Sequence, residues 1–250
     1  MIFGAIVAGG IGSRMNSSDV PKQFLTLGKD KKPILIHTLE KFLLCKKLDY
    51  IYLGIHKDWI DYTKNLLKKY NLDNNNEKIF ISEGGPDRNL TIINIINLIE
   101  KNHGEDVNHI IVTHDAVRPF VTLRMIEENI DAVLKFGACD TVIPAVDTII
   151  ETQDQEFISS VPNRSSLYQG QTPQSFKITE FKNLYNNLSE NEKNILTDAC
   201  KVFVFNKKNV KLVPGETFNI KITTTNDYKI ANNIINLDNK NNFAGGDMVD

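Results

Sequence analysis

The residues best equipped for chemistry gather first near the N-terminus. Gly9, Gly10 and Gly12 follow the apolar run from Ile2 to Ala8, Arg14 comes shortly after, and Pro21-Lys22-Gln23-Phe24 follows. A glycine-rich turn leaving a buried strand lets backbone N–H groups approach an anion that a Cβ would hold away. Arg14 offers a planar fork of donors and Lys22 a compact point charge. Together they describe a site for a polyphosphate. The plainer alternative is an ordinary glycine turn with both cations solvated. Two familiar phosphate loops are excluded: Met15 stands where G-x-G-x-x-G needs its third glycine, and no G-K-[S/T] follows Gly9 or Gly10.

Three further groups lie downstream. Asp115, in His114-Asp115-Ala116-Val117-Arg118-Pro119-Phe120, ends the apolar run His109 to Thr113. There a single carboxylate is adequate for magnesium, which prefers few protein ligands besides phosphate and water. Its alternative role is to cap the next turn. The run Gly85, Pro86, Asp87, Arg88, Asn89, Leu90 and Thr91 leads into a helix, with Arg88 open to a second reading as a surface ion-pair partner. Asn219, Lys221 and Thr223 alternate with Ile220 and Ile222, which as a strand would aim Lys221 at a cleft and anchor the isoleucines. The histidines at 37, 56, 103, 109 and 114 show no H-x-x-x-H spacing, which argues against zinc.

The elements that must position these groups read as alternating strands and helices. Strands are expected at YIYLGI, KIFIS, HIIVTHD and CDTVIPAV. Helices are expected at ILIHTLEKFLLC with Pro33 in its first turn, at DWIDYTKNLLKKY with Asp58 as N-cap, from about Asn89 to Lys101, and at TLRMIEENIDAVLKFG. This alternation predicts an α/β fold with a mainly parallel sheet and ligands at the carboxyl ends of its strands. Residues 146–170 break the pattern. Two or three short strands with polar turns, too poor in apolar surface to form a core, predict an arm that projects and pairs with another subunit. Helices return at ITEFKNLYNNL, near Thr197 to Phe205 and at TNDYKIANNIINL, with a strand at VKLVPG. One domain is expected over 1–236, with 237–250 a loose tail.

AGGIGSRM followed by PKQF resembles the sugar-phosphate and polyol-phosphate cytidylyltransferases, and the likeness recurs at HDAVRPF, YQGQTPQSF and NIKITT. It implies a three-layer Rossmann-like nucleotidyltransferase fold with a projecting β-arm, a homodimer with interlocking arms, and Mg2+-dependent transfer from CTP to a polyol phosphate. Carried over residue by residue, it puts Arg14 and Lys22 on the triphosphate, and Val7, Ala8, Gly9 and Gly10 with Gly85 to Thr91 around cytosine and ribose. It puts Asp115 on the metal and Lys221 on the attacking phosphate. Arg164, and more weakly Thr148, would reach the acceptor from the neighbouring subunit. Thr197-Asp198-Ala199-Cys200-Lys201 departs from the methylerythritol-phosphate pattern and looks like the ribitol-5-phosphate branch, whose CDP-ribitol feeds teichoic acid or capsule polymers. The other branch, serving isoprenoid synthesis with 2-C-methyl-D-erythritol 4-phosphate, is the alternative.

Composition sets outer bounds. A net charge of −2 argues against coating nucleic acid or anionic membrane, so an anionic ligand must be held by locally placed cations. Cys45, Cys139 and Cys200 are widely separated with no C-x-x-C, and no charged leader precedes the first strand, so a cytoplasmic location is expected. A regulatory nucleotide-binding descendant would be expected to have lost a cation, and all four are present. A metal-dependent glycosyltransferase would want Asp-x-Asp where this chain has only Asp115.

Overall fold

The computed structural model describes residues 1–10, 20–72 and 77–241. Strand β1 (Ile2–Ala8) is followed by a small hairpin, β2 (Thr26–Leu27) with β3 (Lys32–Pro33), then by α1 (Ile34–Leu44) and β4 (Tyr50–Ile55). Next come α2 (Ile60–Lys69), β5 (Ile79–Glu83), α3 (Arg88–His103), β6 (Ile110–Asp115), α4 (Leu123–Phe136) and β7 (Ala138–Pro144). The chain closes with β8 (Tyr168–Lys177), α5 (Ile178–Asn186), α6 (Glu190–Asn194), α7 (Cys200–Phe205), β9 (Lys211–Pro214) and α8 (Thr225–Asn241). Among the described residues no helix is long and apolar enough to cross a membrane.

The described strands form a seven-stranded sheet in the order β5-β4-β1-β6-β8-β7-β9. β1, β4, β5 and β6 run parallel, as does the β7–β9 pair, while β8 is antiparallel to both neighbours. Side chains alternate across this sheet, and both faces are covered, which is why β1 is apolar throughout. Ile6 and Ala8 pack with α1, α2 and α4 on one face. Phe3 and Ala5 pack with α3, α5 and α7 on the other. The three layers thus bring the ends of β1, β5 and β6 to one edge.

Several elements differ from expectation. β8 is a central strand, although YQGQTPQSF has no apolar alternation. Most of its buried polar groups are satisfied locally: Thr113 Oγ1 donates to the Gln174 carbonyl, Ser175 Oγ bonds Asn129, and Gln171 bonds the Glu216 carbonyl. Tyr168 to Gly170 belong to this strand, paired with Pro144 to Val142, so the projecting segment ends before them. That segment holds one bridge, Glu151 to Ser160, and a 3-10 turn at Arg164–Ser166 in place of two or three strands. Asp58 caps no helix. It lies in a 3-10 turn where His56 accepts its backbone N–H, and α2 begins afterwards at Ile60. Residues 219–223 form no strand, and α8 continues to Asn241, through the first part of the expected tail.

If β8 is a core strand, its apolar members carry core energetics. Phe176 is fully buried and stacks on Phe181 with ring centroids 4.3 Å apart. Phe176→Ala should cost about 3–5 kcal/mol in denaturant unfolding. A loss below about 1 kcal/mol would show that β8 is not packed as described.

Candidate active site

A cavity of about 560 Å³ opens at the carboxyl edge of β1, β5 and β6, lined among others by Val7 to Gly10, Gly85 to Arg88, Thr91, Asp115, Lys22 and Lys221. One wall is backbone. The two glycine turns approach so closely that a Cβ on Gly9 would lie 2.9 Å from Thr91 Oγ1 and 3.4 Å from the Gly84 Cα. A Cβ on Gly85 would meet the Thr91 backbone nitrogen at 2.9 Å. Thr91, expected beside the ligand base, uses its hydroxyl on the turn: it accepts from Gly85 N–H at 3.0 Å and donates to the Asp87 carbonyl at 2.8 Å. Asp87 caps α3 by accepting the Leu90 N–H. Asn89 and Leu90, expected in the same shell, are not among the cavity-lining residues.

Lys22 sits buried in a 3-10 turn, Lys22–Phe24, and its ammonium donates to the Thr223 carbonyl at 2.5 Å. Its neighbour Gln23 donates to the Ala8 and Gly10 carbonyls at 2.8 and 3.2 Å, so the PKQF string clamps the glycine turn. Gln23 had no assigned role from sequence, though it stands inside the motif. Arg14, with Gly12 and Met15, lies outside the described residues.

Asp115 is the electrostatic centre. Arg88 Nε lies 3.0 Å from Oδ1, while Lys221 Nζ and Arg118 Nε lie 2.9 and 3.5 Å from Oδ2. Burial alone would raise the carboxyl's pKa, but the charges of Arg88, Lys221 and Arg118 outweigh it and hold the group well below the usual carboxylate range. One anion therefore holds three cations at the cleft. Behind it, burial pushes His114 down to about 4, keeping the ring neutral. Its Nε2 lies 3.0 Å from the Arg118 carbonyl and must donate. Nδ1 then accepts from Thr172 Oγ1 at 2.8 Å, and that hydroxyl accepts the Asp115 N–H at 3.2 Å. Sequence reading left Arg118 without a function, although its motif was plain.

Lys221 does point into the cleft, on a loop and not on a strand. Arg118 Nη1 donates to the Asn219 carbonyl at 2.8 Å, and Ile222 N–H donates to the Val117 carbonyl at 2.9 Å. Asn219 is buried and donates to the Thr172 carbonyl, while Ile222 is fully buried against Leu27, Ile34, Phe120 and α8. Arg164 is elsewhere: exposed in the projecting segment, it donates to the Val146 carbonyl at 2.7 Å and does not line the cavity of its own chain. Thr148 is likewise exposed on that segment.

As a metal ligand, Asp115 has the right chemistry for a hard divalent cation that brings phosphate oxygens and water as its other ligands. Among the described residues no cluster of three His, Cys, Asp or Glu could cage a metal. Both carboxylate oxygens are engaged, and Lys221, with 43% of its side chain exposed, is the partner best able to yield to such a cation.

A glycine-walled cleft rimmed by cations at the edge of a three-layer α/β sheet defines a nucleotidyltransferase. A family model described as 2-C-methyl-D-erythritol 4-phosphate cytidylyltransferase, IspD, matches residues 2–237, and the chain belongs to that family. The structure is similar to 4-diphosphocytidyl-2C-methyl-D-erythritol synthase from Anaerococcus prevotii, at 28% identity and a TM-score of 0.75, over 94% of this chain and 95% of that one. It is also similar to the 2-C-methyl-D-erythritol 4-phosphate cytidylyltransferase of Francisella tularensis, at 26% identity and a TM-score of 0.75, over 92% and 98% of the two chains. The corresponding Thermus thermophilus structure shares the fold at 21% identity, with a TM-score of 0.69 over 94% and 98%.

The neutral His114 has a consequence for stability. In the unfolded chain a histidine binds its proton near pH 6.5, whereas His114 in the folded protein does so near 4. Between these values the unfolded state holds more protons, so stability falls as pH drops from about 6.5 to 4. His114→Gln, which retains one donor and one acceptor, should flatten this fall by up to about 3 kcal/mol relative to the parent. Parallel pH profiles of urea unfolding measure it, and identical slopes for the two proteins would contradict the assignment.

Proposed function

We propose that this cytidylyltransferase moves the cytidylyl group of CTP onto the phosphate of a polyol phosphate. An oxygen of the acceptor phosphate attacks the α-phosphorus of CTP, the bond to the β-phosphate bridge breaks, and pyrophosphate leaves. The attacking group is already an anion, so no general base is required. Protein groups contribute positioning and charge neutralisation. The observation that carries this reading is Asp115 with its three cations at the mouth of a backbone-walled cleft.

In this reading Arg14 and Lys22 bind the triphosphate and stabilise the α-phosphorus in the transition state. Val7 to Gly10 and Gly85 to Arg88, with Thr91 behind them, enclose cytosine and ribose, where glycine positions favour a small pyrimidine. Lys221 positions the acceptor phosphate. Asp115 would hold Mg2+, which supplies neutralising charge to the phosphates. Arg164 serves the active site of a second copy. Supporting that role, the projecting segment leaves Val146, Ile150, Phe157, Ile158 and Val161 more than half exposed, apolar surface that a partner would cover.

The family model and the Francisella tularensis relative bear the name of 2-C-methyl-D-erythritol 4-phosphate, which makes it the first acceptor to consider. D-ribitol 5-phosphate is the second, favoured by the Thr197 to Lys201 string. Pyrophosphate release from CTP, measured with each acceptor in parallel and with or without EDTA, decides between them. Turnover with at least one acceptor, lost on chelation, is expected, and Arg164→Ala should raise the acceptor KM while leaving that for CTP nearly unchanged. UTP or ATP used as readily as CTP would contradict the pyrimidine pocket, and activity indifferent to EDTA would remove the metal role of Asp115.

A further inference from the structure

Beyond Asp115, on the side of the sheet covered by α3 and α7, lies a second polar cluster. Gln174 of β8 is only 2% exposed and donates Nε2 to Asp140 Oδ1 of β7 at 3.1 Å. Its amide oxygen is buried with no partner. The same holds for Nη1 and Nη2 of Arg88, whose Nε alone is used on Asp115. Asp198, just ahead of α7, and Arg88 both lie within electrostatic reach of Asp140. Burial pushes the Asp140 carboxyl up to about 7, against the lowering effect of the Gln174 amide and with Asp198 adding to the rise.

Unpaired buried polar atoms are uncommon in native interiors, and each costs about 1–3 kcal/mol. Three such atoms, two on an arginine that also lines the cleft and one on a glutamine bonded to Asp140, point to a ligand. Its chemistry follows from what is offered. Arg88 supplies two donors; Gln174 and the two aspartates supply acceptors. An anion is disfavoured by the carboxyls, and an apolar group would satisfy none of these atoms. A hydroxyl both donates and accepts, so a chain of hydroxyls satisfies donors and acceptors together.

We propose that Arg88, Gln174, Asp140 and Asp198 form a hydroxyl-binding subsite that takes the polyol chain of the acceptor while its phosphate stays with the cations of the cleft. This rests on the polyol-phosphate reading above and adds to it the residues that read the carbon chain. Gln174, Asp140 and Asp198, which are not among the residues lining the nucleotide cleft, would set acceptor specificity.

The test is steady-state kinetics with glycerol 3-phosphate, erythritol 4-phosphate, 2-C-methyl-D-erythritol 4-phosphate and ribitol 5-phosphate. These are compared in the parent, Asp140→Leu, Gln174→Met and the shape-conserving Asp140→Asn. Losing hydrogen bonds to buried groups should lower kcat/KM for the best polyol acceptor by about 10- to 100-fold in the first two variants, and less in Asp140→Asn. The loss should shrink as hydroxyls are removed from the acceptor, with the KM for CTP within about twofold of the parent as the check on folding. An equal loss for glycerol 3-phosphate and the longer acceptors, or no loss, overturns the subsite while leaving the function intact. A parent protein that turns over none of the four acceptors overturns the function and the subsite together.

Discussion

The structure depends most on one buried carboxylate. Asp115 brings together Arg88 from the start of α3, Arg118 from the turn after β6 and Lys221 from the 219–223 loop, groups remote in sequence. Like charges this close repel, and an exposed trio would splay apart. With side chains only partly exposed and a fixed anion between them, the attraction is much less screened than in water, so the cations stay gathered at the cleft. The arrangement also explains why the chain can carry a net charge of −2 and still offer a site for anions. What matters is the local charge at one sheet edge.

The surrounding fold makes that carboxylate's position rigid. Its backbone N–H is held by Thr172 on β8, whose hydroxyl is oriented by the neutral His114, whose other nitrogen holds the Arg118 carbonyl. Arg118 in turn fastens the loop that presents Lys221. Strand, turn and loop thus fix one another through a continuous hydrogen-bonded path, and the buried Ile222 ties that loop to the satellite core under α8. On the opposite wall the glycine turns are held by Gln23 and Thr91, side chains that serve backbone geometry.

Much of this was legible in the sequence where apolar periodicity speaks. β1, β4, β5, β6 and their helices are runs of Ile, Leu, Val and Phe with clear turns between them, and the glycine turns and Asp115 meet at one cleft as their places at strand ends implied, with Lys221 joining them from a loop where a strand was expected. β8 escaped because its buried side chains are Gln171, Thr172, Gln174 and Ser175, whose burial is made acceptable by hydrogen bonds that no single-sequence pattern displays. Arg118 escaped for a related reason. Its importance lies in a contact with Asn219, about a hundred residues away. Residues 219–223 read as a strand because a loop whose Ile220 and Ile222 are anchored in a core shows the same alternation as a strand.

Besides the metal role proposed for Asp115, the central claim is that in the metal-free site it positions the cations it pairs, Lys221 above all. A double-mutant cycle tests this most directly, using Asp115→Asn, Lys221→Met and the pair, with kcat/KM for the acceptor as the readout. If the carboxylate positions Lys221, the double variant will lose no more than about the worse of the two single variants, because the second change removes an interaction already gone. Losses that multiply, so that the free energies simply add, would show that the two residues act independently and would contradict the account.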